Sequence, residues 1–189
     1  MLFREIHHRV KNNLQTVSSL IQLQPIPAES KRDMTARIAA MSAVHQQAYS
    51  MDQFTQIDLS TYMKALLDNI RTSYGDSVVI ESQVQPLIVD RDSALPLGLI
   101  VNEVITNAMK HAFTATTNGH VDVSIMRLNA ETGELRISDN GPGYVPSKED
   151  RGMGSRLIRA LVRQLGNDYG YSKENGTTFH MRFPLSAEV

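Results

Sequence analysis

The sequence of 189 residues contains no cysteine. Disulfide bonds, zinc sites built on thiolates and catalysis by a thiol are therefore excluded. The sequence also lacks an excess of either charge, because 19 Lys and Arg residues nearly balance 20 Asp and Glu residues and leave a formal net charge of -1. This balance gives no general attraction for nucleic acid or for an anionic membrane surface.

Long apolar runs are missing as well. No run reaches the length of a membrane span, and the amino terminus lacks the charged-then-apolar pattern of a signal peptide. We therefore expect a cytoplasmic protein with no direct membrane insertion. Hydrophobic residues still make up 41% of the chain, which is enough for a core. The length suits one ordinary domain, or a helical unit followed by a small α+β domain.

The first quarter of the chain has the period of two helices. Apolar residues spaced three or four apart predict a first helix over 2–24, which should end at the stretch Pro25–Pro27. Ser30 is a suitable N-cap for a second helix that ends near Ser50. Two amphipathic helices joined by a short loop predict an antiparallel hairpin. Because a hairpin cannot cover its own apolar seam, we expect two copies to pair into a four-helix bundle.

Two adjacent histidines lie on different faces of the first predicted helix. At about 100° per residue, the centre of the apolar stripe lies about 160° from His8 but only about 60° from His7. His8 should therefore face water among polar side chains that include Glu5 and Asn12. A surface histidine by itself most often has no function. Evidence that His8 takes part in a reaction therefore has to come from the remainder of the chain.

The remainder of the chain has the mixed pattern of an α+β domain, with helices on one side of a mixed sheet. A polar link at 52–58 should connect this domain to the hairpin. The predicted helices cover 59–74, 92–113 and a segment that ends near 166, and the predicted strands cover 78–84, 87–89, 121–126, 134–138, 169–172 and 177–183.

The predicted helix over 92–113 carries a polar face that is formed by Glu103, Asn107 and Lys110. A charged helix face is usually only solvated. A carboxylate, an amide oxygen and an ammonium group on one face are, however, also able to hold Mg²⁺ together with phosphate. The buried stripe should lie opposite and consist of Val101, Val104, Ile105, Ala108 and Ala112.

Two stretches that contain glycine follow this helix. Asp139 ends a predicted strand just before Gly141 and Gly143, so its carboxylate lies at a turn and can accept a hydrogen bond from an amino group such as that of adenine. Gly152 and Gly154 precede a helix whose first N–H groups can bind phosphate. Taken singly, the first stretch is most often an ordinary turn and the second an ordinary helix start.

In this order, the three stretches resemble the N, G1 and G2 boxes of the GHKL ATPase superfamily, and Gly176-Thr177-x-Phe179 resembles its final box. The start, Glu5-Ile-His-His-Arg-Val-Lys-Asn-Asn-Leu-Gln15, is similar to the H-box of sensor histidine kinases of the HisKA_2 and HWE types. The resemblance implies a dimerisation and histidine phosphotransfer hairpin over 1–52. It also implies a catalytic ATP-binding domain of the Bergerat fold, an α/β sandwich with a mixed sheet, over 53–189.

By this resemblance, His8 is the phosphoacceptor of an ATP-dependent autophosphorylation, and the phosphate then passes to an aspartate of a response regulator. Glu5, Arg9 and Asn12 are its candidate helpers, and the sequence does not rank them. Asn12 is also a candidate for positioning water in a phosphatase reaction. The implied cofactors are ATP and Mg²⁺. The implied partners are a response regulator receiver domain, a second copy of the chain, and an upstream sensor domain or a sensory partner.

The resemblance also assigns roles around the nucleotide. Asn107 should coordinate Mg²⁺, and Glu103 is a second candidate ligand or a residue that orients the acceptor imidazole. Lys110 and His111 should approach the phosphates. The remaining roles are adenine binding by Asp139, Gly141, Gly143 and Thr177, and the phosphate end of the ATP lid at Gly152 and Gly154.

Two other functions use part of the same pattern. A histidine phosphotransferase of this architecture keeps the hairpin histidine but does not use ATP, so ATP binding distinguishes it. A serine kinase or binding protein like the anti-sigma factors of the GHKL superfamily has no use for the histidine helix, and an acid-stable phosphate would reveal it. The segment 144–151 is short, which predicts an abbreviated lid.

Overall fold

A computed structural model gives the structure of residues 2–50, 56–74, 78–113, 118–145 and 152–186. The chain forms two compact units, Met1–Gln53 and Phe54–Val189. Among the described helices, none combines the length and the apolar character that crossing a bilayer requires.

The first unit is a helical hairpin of α1 (Leu2–Leu23) and α2 (Ala28–Ser50). Polar side chains connect the two helices beside the loop. Lys31 Nζ donates a hydrogen bond to the Gln22 carbonyl at 2.8 Å, and Gln22 Nε2 donates to Thr35 Oγ1 at 3.0 Å. The two predicted helices are therefore present, and the first ends one turn before Pro27, as expected.

Helix α2 begins before the predicted N-cap, Ser30. Its first hydrogen bond runs from the Lys31 N–H to the Pro27 carbonyl at 3.0 Å, which makes Pro27 the N-cap residue. Proline has no N–H to leave unpaired at a helix start, and its restricted φ is compatible with the turn. Ser30 consequently lies inside the first turn, and the prediction that it caps the helix is wrong.

Apolar side chains of α1 remain at the surface of this unit. Val17, Leu20 and Leu23 are 45%, 53% and 80% exposed, whereas Val44 of α2 is 1% exposed and is the one buried hydrophobic residue among the described side chains of the hairpin. The hairpin thus leaves apolar surface uncovered, as the sequence predicted.

The second unit is built on a five-stranded sheet with the order β2-β4-β5-β7-β6, in which β2 and β4 are parallel and the other neighbours are antiparallel. A separate pair is formed by β1 and β3. The mixed sheet and the α+β class are as predicted. The elements are β1 (Gln56–Asp58), α3 (Leu59–Tyr74), β2 (Val78–Val84), β3 (Ile88–Asp90), α4 (Arg91–His111), β4 (Gly119–Arg127), β5 (Thr132–Asp139), α5 (Met153–Gln164), β6 (Tyr169–Ser172) and β7 (Thr178–Pro184).

Strand β1 occupies part of the predicted polar link. Ile57 pairs with Val89 of β3, and the two side chains are 2% and 0% exposed. The two apolar residues of this link, Phe54 and Ile57, show no strand alternation. The partner of Ile57 lies about thirty residues further along, so the pattern could not reveal the strand. Asp58 then caps α3, because its side chain accepts hydrogen bonds from the Ser60 N–H at 3.0 Å and from Thr61 Oγ1 at 2.8 Å.

The sheet has one buried face. Val121, Val123 and Ile125 of β4 are buried, and Asp122, which lies between them, is exposed. This alternation is the period of a strand covered on one side only. Helix α3 also reaches the edge of the sheet, where Arg71 donates from Nη2 and Nε to the Ile80 carbonyl of β2 at 2.8 and 3.2 Å.

Candidate functional site

The carboxylate of Asp139 is fixed at the end of β5. Its Oδ1 accepts hydrogen bonds from the Gly141 N–H at 2.9 Å and from the Thr177 N–H at 3.2 Å. The second donor comes from the residue just before β7, which is the antiparallel neighbour of β5. Among the described residues no donor is bonded to Oδ2. One oxygen therefore holds the turn, and the other is available to a ligand that donates a hydrogen bond.

Two predicted glycines shape this turn. A Cβ at Gly141 would lie 2.5 Å from Ala112 Cβ, at the end of α4. Gly143 has a φ of +78°, which side chains other than glycine rarely adopt. The turn therefore approaches α4 closely, and both positions depend on the absence of a side chain.

Neighbouring polar groups hold the same turn from both sides. Thr177 Oγ1 accepts a hydrogen bond from the Tyr144 N–H at 3.0 Å. Asn140 Oδ1 accepts from the His120 N–H at 2.8 Å, and Asn140 Nδ2 donates to the Asn118 carbonyl at 3.0 Å. The predicted supporting residue Thr177 is thus in place. The role of Asn140 was missed, because a side chain that bonds backbone twenty residues away leaves no local pattern.

Glu103 is only 2% exposed, so its carboxylate does not lie on the solvated helix face that charged residues usually form. The covering element is α5, which packs on α4. A Cβ at Gly154 would collide with Glu103 Oε1 and would lie 3.2 Å from Asn107 Nδ2. A helical wheel shows one helix against one core and cannot show that a second helix covers the polar face. Val104 and Ala112, which we expected to be buried, are half-buried.

The two glycines predicted to precede this helix are not equivalent, because α5 begins at Met153 and Gly154 lies inside its first turn. Gly154 is buried against Glu103 and Asn107, and it brings the first turn of α5 to the polar face of α4. Gly152 is the exposed N-cap residue, and a Cβ there would have no neighbour within 4 Å among the described atoms. The N–H groups of a first helical turn carry partial positive charge, so this end of α5 favours an anion.

The other predicted residues of α4 lie in its last turn. Lys110 is half-buried and His111 is exposed. The structure therefore arranges the predicted nucleotide residues in two groups along α4. The first group consists of Glu103, Asn107 and Gly154, and the second consists of Asp139, Gly141, Gly143 and Thr177, joined to α4 through Ala112.

Tyr171 is an additional residue near this site. Burial raises the pKa of its hydroxyl, and the charges of Tyr169, Tyr144 and Glu103 raise it further. Its ring packs edge-on against Phe179 at a centroid distance of 5.2 Å. The sequence predicted the strand that carries Tyr171 but gave no signal that its hydroxyl lies near α4.

The predicted phosphotransfer residues lie in α1. The side chains of Glu5 and His8 fall outside the part of the chain that the structure describes. Arg9 and Asn12 are exposed, and the Asn12 carbonyl accepts a hydrogen bond from Thr16 Oγ1 at 2.9 Å.

Two family models match the chain. Residues 5–74 match the HisKA_2 histidine kinase model, and residues 92–187 match the model of histidine kinase-, DNA gyrase B- and HSP90-like ATPases. The chain belongs to the HisKA_2 histidine kinases. The predicted family is thereby confirmed.

Individual histidine kinases are similar to this family member over nearly its whole length. The blue-light-activated histidine kinase 2 of Erythrobacter litoralis is 29% identical over 200 residues, which cover 97% of the chain and 57% of that protein. The sensor histidine kinase PdtaS of Mycobacterium tuberculosis is 31% identical over 198 residues, which cover 96% of the chain and 39% of that protein. The chain thus spans 39% to 57% of the length of these two relatives.

A solved structure has the same fold. The histidine kinase domain of the Erythrobacter litoralis EL346 blue-light activated histidine kinase is 25% identical, with a TM-score of 0.73, and the match covers 97% of this histidine kinase chain and 90% of that one. The predicted fold class is confirmed by this match.

Proposed function

We propose that the chain is the core of a two-component histidine kinase, in which His8 is phosphorylated by Mg-ATP and transfers the phosphate to an aspartate of a response regulator. The observation that carries the proposal is the Asp139 turn. One carboxylate oxygen is held by the Gly141 and Thr177 N–H groups, and the other is left to accept from the adenine amino group. Thr177 supports the adenine side, and Gly141 and Gly143 keep the turn open.

The phosphates would lie between α4 and the start of α5. Asn107 and Glu103 offer an amide and a carboxylate oxygen, which are donors that Mg²⁺ accepts together with phosphate oxygens and water. The bound ion would neutralise charge on the transferring phosphate. Lys110 and His111 approach the phosphates from the last turn of α4, and the N–H groups that follow Gly152 and Gly154 bind them at the helix end.

In the phosphorylation step, a lone pair of the neutral His8 imidazole attacks the γ-phosphorus. A nitrogen–phosphorus bond forms, the bond to the bridging oxygen breaks, and ADP leaves with the electron pair. Catalysis consists mostly of positioning and charge neutralisation. Glu5, Arg9 and Asn12 lie within about one turn of His8 and are the candidates for orienting it or, for Asn12, for positioning water in a phosphatase reaction.

The partners follow from the same proposal. A second copy of the chain would cover the apolar surface of α1 at Val17, Leu20 and Leu23, which gives a four-helix bundle. A response regulator receiver domain accepts the phosphate, and an upstream sensor domain or a sensory partner controls the reaction. We place this activity in the cytoplasm, where ATP is supplied.

Labelling with γ-labelled ATP tests the proposal. His8→Ala should abolish the acid-labile label, because the acceptor nitrogen is removed, and His7→Ala should retain most of it. Label that survives His8→Ala and disappears with His7→Ala would contradict the assignment. An acid-stable label would favour the serine kinase, and a chain that does not bind ATP would be an ATP-independent phosphotransferase.

A further inference from the structure

Three side chains with metal-binding atoms meet on the sheet face opposite the helices. Glu81 lies on β2, and His120 and Asp122 lie on β4. Their neighbours Ile80, Val121 and Val123 point into the core, so the strand alternation directs these three outward. The cluster is therefore separated by the sheet from α4 and from the candidate nucleotide site.

The three side chains converge on one point. His120 Nε2 lies 3.2 Å from Asp122 Oδ1 and 3.9 Å from Glu81 Oε2. One ligand atom from each residue lies within 4.8 Å of the others. An ion held at about 2.0–2.2 Å from nitrogen and oxygen ligands places those ligands about 3–3.5 Å from each other. A small rotation of the exposed Glu81 side chain is enough to reach that spacing.

Regular structure fixes this arrangement. Glu81 and Asp122 are direct partners in the parallel β2–β4 register, and His120 precedes Asp122 by two residues on the same face. The His120 backbone is held further by Asn140, whose Oδ1 accepts its N–H at 2.8 Å. The positions of the ligands thus depend on two paired strands and not on a loop.

We propose that Glu81, His120 and Asp122 form a binding site for a divalent first-row transition metal, with Zn²⁺ as the reference ion. One imidazole and two carboxylates supply three ligands, and water completes the coordination. Imidazole suits zinc, nickel and copper, whereas Mg²⁺ prefers oxygen ligands alone. The site therefore selects a different ion from the one proposed for the nucleotide.

Isothermal titration calorimetry with Zn²⁺ tests the site on the whole chain in the absence of nucleotide. The wild type should bind one Zn²⁺ more than His120→Ala. Asp122→Asn and Glu81→Gln should each weaken this binding by about tenfold or more, because each removes one charged ligand. The matched control is His180→Ala, which removes an exposed histidine of β7 outside the cluster and should leave the binding unchanged. Excess Mg²⁺ should not displace the Zn²⁺.

A second readout locates the ion directly. The His120 imidazole resonances, assigned by their loss in His120→Ala, should shift on addition of one equivalent of Zn²⁺, and circular dichroism confirms that each variant is folded. Equal Zn²⁺ stoichiometry and affinity in the wild type and in folded His120→Ala would overturn the proposal. Unchanged Zn²⁺ affinity in both carboxylate variants would also overturn the proposal. The cluster would then be only an exposed ion pair.

Discussion

The two carboxylate oxygens of Asp139 have different roles, and the substitution Asp139→Asn distinguishes between these roles. In Asp139→Asn, the amide oxygen can still accept from the Gly141 and Thr177 N–H groups, so the turn should be retained. The amide nitrogen then faces the adenine amino group, and two donors meet. Loss of a hydrogen bond to a charged group costs about 1.5–3 kcal/mol, so we expect ADP to bind about 10–100-fold more weakly by calorimetry.

Asp168→Asn is the matched control for this prediction, because Asp168 is exposed and lies outside the turn. It should bind ADP as the wild type does. If Asp139→Asn also binds ADP with wild-type affinity, the carboxylate does not contact the base.

The carboxylate of Asp58 stabilises the start of α3. Burial alone would raise the pKa of Asp58, but hydrogen bonds from Thr61 and Ser60 outweigh it and hold the pKa below its usual value. A lowered pKa means that the carboxylate stabilises the folded state above the pKa of the unfolded chain, and that this contribution is lost as the pH falls through the folded pKa.

Asp58→Ala should therefore lower the free energy of unfolding by about 1 kcal/mol at pH 7, the usual effect of removing an N-cap. Urea denaturation of both proteins should show this difference at pH 7 and a smaller one near pH 3. A difference that is the same at both pH values would show that the charge of Asp58 is not involved.

Between elements, α4 and α5 approach each other closely at Gly154. In Gly154→Ala the added Cβ would collide with Glu103 Oε1, so the buried Glu103 side chain has to move. Overpacking of this kind costs about 1–3 kcal/mol, which chemical denaturation should detect.

Gly152→Ala provides the comparison, because a Cβ there has open space among the described atoms. Its stability should fall by no more than about 1 kcal/mol, the usual cost of placing alanine at an N-cap. Equal destabilisation by both substitutions would mean that the contact with Glu103 is not responsible.

The same contact shows what the sequence could predict at the level of elements. Helix α4 and the two glycines at the start of α5 were both predicted, because each has a local pattern. That the polar face of α4 is covered was not predictable, because it depends on two elements separated by about fifty residues. Strand β1 was not predicted for a related reason. Ile57 forms a strand only through its pairing with Val89, which is distant in the sequence.

At the scale of the whole molecule, the order of the motifs was enough to predict the family. A single motif was not enough to predict which residues contact one another. Asp139 and Thr177 were assigned together by resemblance, and the structure joins them by a hydrogen bond. The neighbours Asn140 and Tyr171 were not assigned, because their partners come from distant strands and helices.

Self-association is also a property of the whole molecule. Leu20 is 53% exposed on α1, and a charge there would have to be buried in the proposed four-helix bundle. Leu20→Asp should therefore shift the chain towards monomer in sedimentation velocity experiments. The adjacent exposed residue provides the control, Ser19→Asp, which should leave the association unchanged. A wild-type chain that sediments as a monomer, or a Leu20→Asp dimer, would contradict the proposed pairing.

The hydrogen bonds from Arg71 to the Ile80 carbonyl have a consequence for how copies of the chain can meet. The outer strand of a sheet is a template on which a foreign strand can add, and this addition begins fibrous aggregation. On β2, the Ile80 carbonyl at this edge already accepts hydrogen bonds from the Arg71 guanidinium group. At the opposite edge of the described sheet, β6 has only 4 residues and offers a short template. Both edges therefore disfavour strand addition, so concentrated protein should remain free of amyloid-like fibres while its helices pair.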